Sequence, residues 1–255
     1  MAYRHILYDR GDAVAIITMN RPERRNALSF EHIEELIDAL AAVATSDARA
    51  LILAANGPVF SAGHDYADMV ERDLDGFRAL FARCAEMMTL VQSIPQPVVA
   101  SVQGIATGAG CQLVATADLA VASEEARFST PGGRGGWFCT TPMVAVSRAI
   151  GRKRALEMLF TGEPIDARTA AEWGLVNRVV PAAQLGEETL RLAQAASRGS
   201  TASKAAGKQA YYAQIDLDQS DAYAYASEVM ATTAVAPDGR EAIASFFEKR
   251  KPVYR

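Results

Sequence analysis

The sequence predicts an α/β fold closed by a helical C-terminal module, and three observations carry that expectation. Short apolar runs, such as residues 50–54 and 98–102, take turns with stretches where apolar residues recur at helical spacing, as strands and helices do in a layered α/β core. After about residue 183 the strand signal disappears and only helical periodicity remains. The 255 residues, half of them apolar and 22% charged, suffice for one sizeable core and an appendage. The core is placed at residues 1–183 and the helical module at 184–255.

Taken in order, Ile6-Leu7-Tyr8 and Val14 to Met19 read as two strands joined by a turn at Gly11-Asp12. Asn20-Arg21-Pro22 ends the second strand, and Ser29 is placed to cap a helix whose apolar face is Ile33, Leu36, Ile37 and Leu40. Ala50 to Ala54, bounded by Gly57-Pro58, is a buried strand. A helix over residues 76–93 stops before Pro95 and Pro97. Val98 to Val102 and Leu119 to Ala122 are further strands, with a helix starting near Cys111 between them. The order strand, strand, helix recurs, although no residue-level repeat accompanies it. Helices are expected at 185–196, 203–214, 219–234 and 240–249, the last with Ile243, Phe246 and Phe247 on its apolar face. A helical module this thin packs on something larger, often a neighbouring subunit.

Composition excludes several functions. A net charge of −4 offers no basic face for nucleic acid. Cys84, Cys111 and Cys139 form no C-x-x-C pair and leave an odd count, which fits a reducing compartment better than a disulfide framework or zinc site. Residues 1–9 lack the basic and apolar regions of a secretory signal, and no apolar run is long enough to span a bilayer. The expectation is a cytoplasmic protein without membrane attachment.

Two segments carry the chemistry. Phe60-Ser61-Ala62-Gly63-His64-Asp65 follows one buried strand, and Gly104 to Gln112 follows another. Small residues there let the backbone approach a ligand, and two inward-facing N–H groups converging on one oxygen stabilise a developing enolate or tetrahedral oxyanion. Either segment alone reads as a pair of tight turns; on consecutive strand ends they point to a site. The spacing G-x-x-x-G-x-G is not a dinucleotide fingerprint, and no P-loop lysine follows it. His64, Asp65 and Asp68 read better as a capped turn than as a metal cluster, so no metal is assigned. No G-x-S-x-G elbow occurs, and Cys139 reads as a small buried residue before a thiol nucleophile.

In order, these residues resemble the enoyl-CoA hydratase/isomerase (crotonase) superfamily along nearly the whole chain. Asn20-Arg21-Pro22 with Asn26-Ala27-Leu28 is similar to its N-R-P-x-x-x-N-A-L segment, Phe60 to Asp65 to its F-x-A-G-x-D loop, and Gly104 to Leu113 to its G-x-x-x-G-G-G-x-x-L loop. Ala117-Asp118-Leu119, Ala126-Arg127-Phe128, Thr161-Gly162 and the ending Phe247 to Pro252 add to the likeness. Thr130-Pro131-Gly132 and Leu159 to Ile165 resemble the divergent subgroup called enoyl-CoA hydratase domain-containing proteins. The resemblance implies a crotonase-like spiral of ββα units, a helical trimerisation module, and a homotrimer or dimer of trimers. It implies an acyl-CoA substrate whose thioester oxygen is held by the backbone N–H groups of His64 and Ala109. The coenzyme A arm would run along Ala62, His64, Asp65, Tyr66, Ala67, Gly108 and Ala109, with Arg24 or Arg25 near its adenine end. Coenzyme A enters as part of the substrate, and no permanently bound cofactor is implied.

Family hydratases carry glutamates at the positions of Gln112 and Gly132, and this chain has neither. Each positioned acid or base contributes roughly 10²–10⁴-fold, so ordinary hydration should be poor. On the sequence alone, Gln112→Glu with Gly132→Glu is expected to raise it. Asp68 or Glu71 could reach in as a substitute acid or base, and Arg134 reads as a surface residue. The remaining choice is between an enzyme on acyl-CoA thioesters and a catalytically weak acyl-CoA-binding or regulatory protein on the same scaffold.

Overall fold

The computed structural model describes residues 3–11 and 13–254. Asp12, half of the expected first turn, lies outside them, as do Met1, Ala2 and Arg255. The core runs β1 (Ile6–Asp9), β2 (Val14–Met19), α1 (Phe30–Ala44), β3 (Ala50–Ala55), β4 (Val59–Ser61), α2 (Leu74–Ser93), β5 (Val98–Val102), β6 (Ile105–Thr107), α3 (Ala109–Thr116), β7 (Leu119–Ser123) and β8 (Arg127–Ser129). It continues with α4 (Pro142–Ile150), α5 (Arg152–Thr161), β9 (Ile165–Asp166), α6 (Ala167–Trp173) and β10 (Arg178–Val180). Four helices follow: α7 (Leu185–Ala196), α8 (Thr201–Gln214), α9 (Gln219–Val235) and α10 (Pro237–Phe247).

The strand–strand–helix order has a spatial meaning. From β3 onward, the first strand of each unit joins a six-stranded sheet of order β1-β2-β3-β5-β7-β10, parallel except for β1, and the opening pair β1-β2 lies wholly in it. The second strand joins a four-stranded sheet, β4-β6-β8-β9, parallel except for β9. The chain therefore advances one strand in both sheets per unit and returns through a helix, which makes a spiral. The corners between strands must lie close: a Cβ on Gly104 would collide with the Pro58 carbonyl oxygen of the previous unit.

β3, β5 and β7 are covered on both faces, as their apolar sequences, interrupted only by Ser101 and Ser123, require. Leu51, Leu53 and Ala100 point to the main core beneath α1 and α2. Ala50, Ile52 and Val99 alternate with them on the other face, where Leu185, Leu192 and Ala193 of α7 close a second, smaller cluster. Ser29 caps α1 as expected, accepting the His32 amide at 3.3 Å. α10 begins at Pro237 rather than 240, because proline at the first helical position gives up no intrahelical bond.

Candidate active site

Two turns meet where the spiral brings the ends of β4 and β6 side by side. Gly63 (φ +84°) turns the chain after β4, and Gly108 (φ +55°) turns it after β6 into the N-terminus of α3. A Cβ on Gly63 would stand 2.9 Å from the Thr107 carbonyl oxygen and 3.2 Å from the Ala109 nitrogen. One on Gly110 would press 2.7 Å from Ser61 Cβ. Only glycine permits this approach, and the approach sets the amides of His64 and Ala109 on neighbouring turns. Among the described residues, neither amide is engaged in a backbone hydrogen bond.

The first turn is held from several sides. Leu28 pairs with it through the Gly63 carbonyl (2.7 Å) and the Asp65 amide (3.1 Å). Ser61 Oγ donates to the Asn26 carbonyl at 2.9 Å and accepts the Gly63 amide at 3.3 Å. Asp65 is buried, accepts the Ala67 amide, and pairs with Arg24 at 3.0 Å and Arg21 at 3.5 Å.

Above the turns lies a cavity of about 410 Å³. Its floor is Ala62, Gly63, His64, Thr107, Gly108 and Ala109; its far wall is Pro131, Gly132 and residues 137–142. Phe81 of α2 completes it, and Arg25 and Tyr66, both exposed, form the rim. The wall is aromatic: Phe81 meets Trp137 at 5.5 Å between ring centroids and Phe77 at 5.9 Å, and His64 meets Phe81 edge-on at 5.4 Å. Among the described residues no carboxylate lines the cavity.

The residues singled out in the sequence divide accordingly. Ala62, His64, Tyr66, Gly108, Ala109, Gly132 and Arg25 line the cavity. Arg24 is committed to Asp65, and Asp65 faces those arginines rather than the cavity. Ala67 is exposed outside it. Gln112 is buried in α3 with Oε1 unpartnered and does not reach the lining. Asp68 pairs with Arg72 at 3.1 Å and accepts the Phe30 amide at 2.9 Å, while Glu71 is exposed, so neither supplies a free acid here. Arg134 pairs with Glu163 at the surface. Phe81 gave no signal as a site residue, because Phe77 and Phe81 at helical spacing read as an ordinary core face.

The expected gain from Gln112→Glu with Gly132→Glu is corrected by the geometry. Trp137 donates its amide to the Gly132 carbonyl at 2.8 Å, and the loop curls back over the position. A Cβ on Gly132 would collide with the Trp137 carbonyl oxygen and lie 2.8 Å from Cys139 Sγ. No side chain fits there without moving residues 132–139.

Two side chains of the lining have shifted proton affinities. Burial pushes the His64 imidazole below its ordinary value, opposed by the nearby Leu28 carbonyl and Asp68; no well-formed hydrogen bond reaches either ring nitrogen. Burial pushes the Cys139 thiol up, opposed by the Gly132 amide, which donates to Sγ at 3.3 Å.

The family profile described as Enoyl-CoA hydratase/isomerase matches residues 9–255. A mouse protein (Mus musculus) named enoyl-CoA hydratase domain-containing protein 3, mitochondrial, is 44% identical over 245 residues, covering 95% of this chain and 82% of the relative. A solved enoyl-CoA hydratase of Mycobacterium smegmatis superposes with a TM-score of 0.95 at 44% identity, covering 98% of each chain. The solved human enoyl Coenzyme A hydratase domain-containing protein 3 gives 0.94 at 42% identity, covering 98% of this chain and all of that one. The expectation of a cytoplasmic protein is corrected: the mouse, rat, frog and human relatives are all named as mitochondrial. Unpaired cysteines fit any reducing compartment and do not single out the cytosol.

Proposed function

Because the chain belongs to the enoyl-CoA hydratase/isomerase family, we propose that it processes an acyl-CoA thioester in the cavity between the two turns. The observation that carries this reading is the contact of Gly63 with Thr107 and Ala109. It sets two unengaged amides, those of His64 and Ala109, side by side under an aromatic-walled space. In this reading both amides hold the thioester oxygen and stabilise negative charge as it develops there; each such donor is worth roughly 10²–10³-fold. Arg25 on the rim takes an anionic part of coenzyme A, which arrives with the substrate, and Ala62, Tyr66 and Gly108 border the tether. The acyl group occupies the space between His64, Phe81, Trp137 and Phe138.

Ordinary hydration is not the reaction assigned, since Gln112 and Gly132 stand where family hydratases carry glutamates. The absence of a lining carboxylate among the described residues favours a second reading as well, a weakly catalytic acyl-CoA-binding protein. Calorimetry with butyryl-CoA and with NAD⁺, beside a crotonyl-CoA hydration assay, tests both. Binding of butyryl-CoA alone with little hydration is expected. Binding of NAD⁺ without CoA would remove the reading, and turnover at rates ordinary for family hydratases would overturn the exclusion of hydration.

The assembly in this proposal is a homotrimer or a dimer of trimers. The exposed aromatic and aliphatic residues of α9 and α10, such as Tyr223, Met230 and Phe246, support it.

A further inference from the structure

The aromatic side of the cavity is closed by contacts between rings. Phe81 of α2 and Trp137 of the loop after β8 both line it, one from each bank. Their ring centroids lie 5.5 Å apart. A methylene chain needs about 3.5–4 Å to the carbons on each side of it, so none passes between two rings this close. Phe77, one turn earlier on α2, stacks on Phe81 at 5.9 Å and meets Trp137 edge-on at 5.9 Å, which backs the joint without lining the cavity.

Two further contacts seal the neighbouring corners. His64 meets Phe81 edge-on at 5.4 Å and joins the first turn to α2. Phe138 of the wall meets Phe160 at 5.8 Å and joins the loop to α5. Thr140 and Thr141 finish the lining beyond Cys139, and their hydroxyls offer a methylene chain no wholly apolar path. The indole itself is placed by main chain. The Trp137 amide donates to the Gly132 carbonyl at 2.8 Å and the Gly135 amide to the same oxygen at 3.1 Å, so the turn of the loop does not depend on the side chain it carries. Trp137 is nevertheless 46% exposed, so removing the indole would open the cavity to solvent between α2 and the loop.

We propose that Trp137 ends the acyl pocket and restricts the protein to short-chain acyl-CoA thioesters, with Phe81 as its counterpart on the opposite bank. The proposal rests on the acyl-CoA reading above and names the size of acyl group that reading leaves open. The whole cavity holds about 410 Å³, which the thioester and the end of the tether must share with the acyl carbons. In an open apolar groove each methylene buried raises affinity roughly fourfold, so a longer chain binds tighter. A closed end reverses that order, because chain beyond the joint stays in water or breaks the ring contacts.

The test measures dissociation constants of the full chain for butyryl-CoA and decanoyl-CoA by calorimetry. Wild type should bind butyryl-CoA at least about tenfold tighter than decanoyl-CoA, against the order an open groove gives. Trp137→Ala should move the ratio of the two affinities toward decanoyl-CoA by at least about tenfold. Phe81→Ala should do the same from α2, so the result does not hang on the folding of one loop variant. A wild type that binds decanoyl-CoA as tightly as butyryl-CoA overturns the proposal, as does a ratio unchanged in both variants. A wild type that binds neither thioester overturns instead the acyl-CoA reading, and the size limit with it. Tryptophan emission gives a second readout. The chain has two tryptophans, and Trp173 lies on α6 against Arg154, so a Trp173→Phe protein reports Trp137 alone. Saturating butyryl-CoA should shift that emission to shorter wavelength, and coenzyme A without an acyl group should not. Emission unchanged by butyryl-CoA that calorimetry shows to be bound would place the acyl group away from the indole and overturn its role.

Discussion

Gly132 and Trp137 are locked face to face: the Trp137 amide donates to the Gly132 carbonyl at 2.8 Å, and the Trp137 carbonyl occupies the space where a Gly132 side chain would project. The loop can hold an indole against Phe77 and Phe81 only because residue 132 has no Cβ. Gly132→Glu is therefore expected to disorder the aromatic wall before it supplies an acid. Gly132→Ala, the milder change, should cost about 1–3 kcal/mol as overpacking does elsewhere. Thermal melting and tryptophan fluorescence check it, and an unchanged melting temperature would mean that the loop yields freely.

The contact of Gly110 with Ser61 makes a second, opposite pair of outcomes. Gly110→Ala must push the two turns apart, because the new methyl would meet the Ser61 backbone and Cβ. Butyryl-CoA affinity is expected to fall at least about tenfold, the equivalent of roughly 1.4 kcal/mol. Gly207→Ala in α8, where a Cβ meets nothing within 4 Å, should instead stabilise by about 0.5–1 kcal/mol through the helical preference for alanine. Calorimetry and melting on the two variants separate close approach from ordinary glycine cost.

The contrast shows which parts of the molecule were legible in the residues. β3 and β5 stood out because their side chains are buried on both faces, leaving Ser101 as the one polar position in the two runs. β4, β6 and β8 are three residues each, too short for a period of two to register, so the second sheet was visible only as a recurring order. The two turns were legible since glycine at a strand end is itself the signal. Phe81 and the crowding over Gly132 were not, because each depends on what the fold brings from elsewhere in the chain.

Lys208 ties α8 to the core from a nearly closed position. Its ammonium pairs with Asp118 at 2.7 Å and donates to the Val91 and Gln96 carbonyls at 2.9 Å; burial lowers its pKa and Asp118 opposes the shift. Asp118 also accepts the Val98 amide and the Tyr212 hydroxyl, each at 2.7 Å. Lys208→Met leaves that carboxylate without its cation, and breaking a buried pair costs roughly 3–5 kcal/mol. At about 2–4 °C per kcal/mol for a chain of this size, the melting temperature should drop on the order of 10 °C. Arg148→Ala, which removes an exposed pair with Asp216, should change stability by less than about 1 kcal/mol. Equal effects of the two changes would show that burial is not what gives the Lys208 tie its strength.

Self-association is expected from the far end of the chain. None of the side chains of α9 is buried, and Phe246 and Phe247 of α10 are 79% and 78% exposed. Sedimentation should find trimers or their pairs, and Phe246→Asp with Phe247→Asp should shift the population toward monomer. A wild-type monomer at micromolar concentration would contradict the assembly proposed.

His32 gives the protein an acid limit with a defined window. Its ring is fully buried, with Nδ1 3.2 Å from the Ala27 carbonyl and Nε2 unpartnered. Burial lowers its pKa from 6.5 to about 4, partly opposed by that carbonyl, while Arg21 adds to the depression. Above 6.5 both folded and unfolded states hold the ring neutral, and its protonation takes nothing from stability. Between 6.5 and about 4 the unfolded chain binds a proton that the folded one refuses, so stability falls with pH. Over that window the loss sums to about 3 kcal/mol, and below it no more is lost from this group. Urea unfolding between pH 7 and 4 should therefore show a slope that His32→Gln flattens. An identical pH dependence in the variant would mean that other groups set the acid limit.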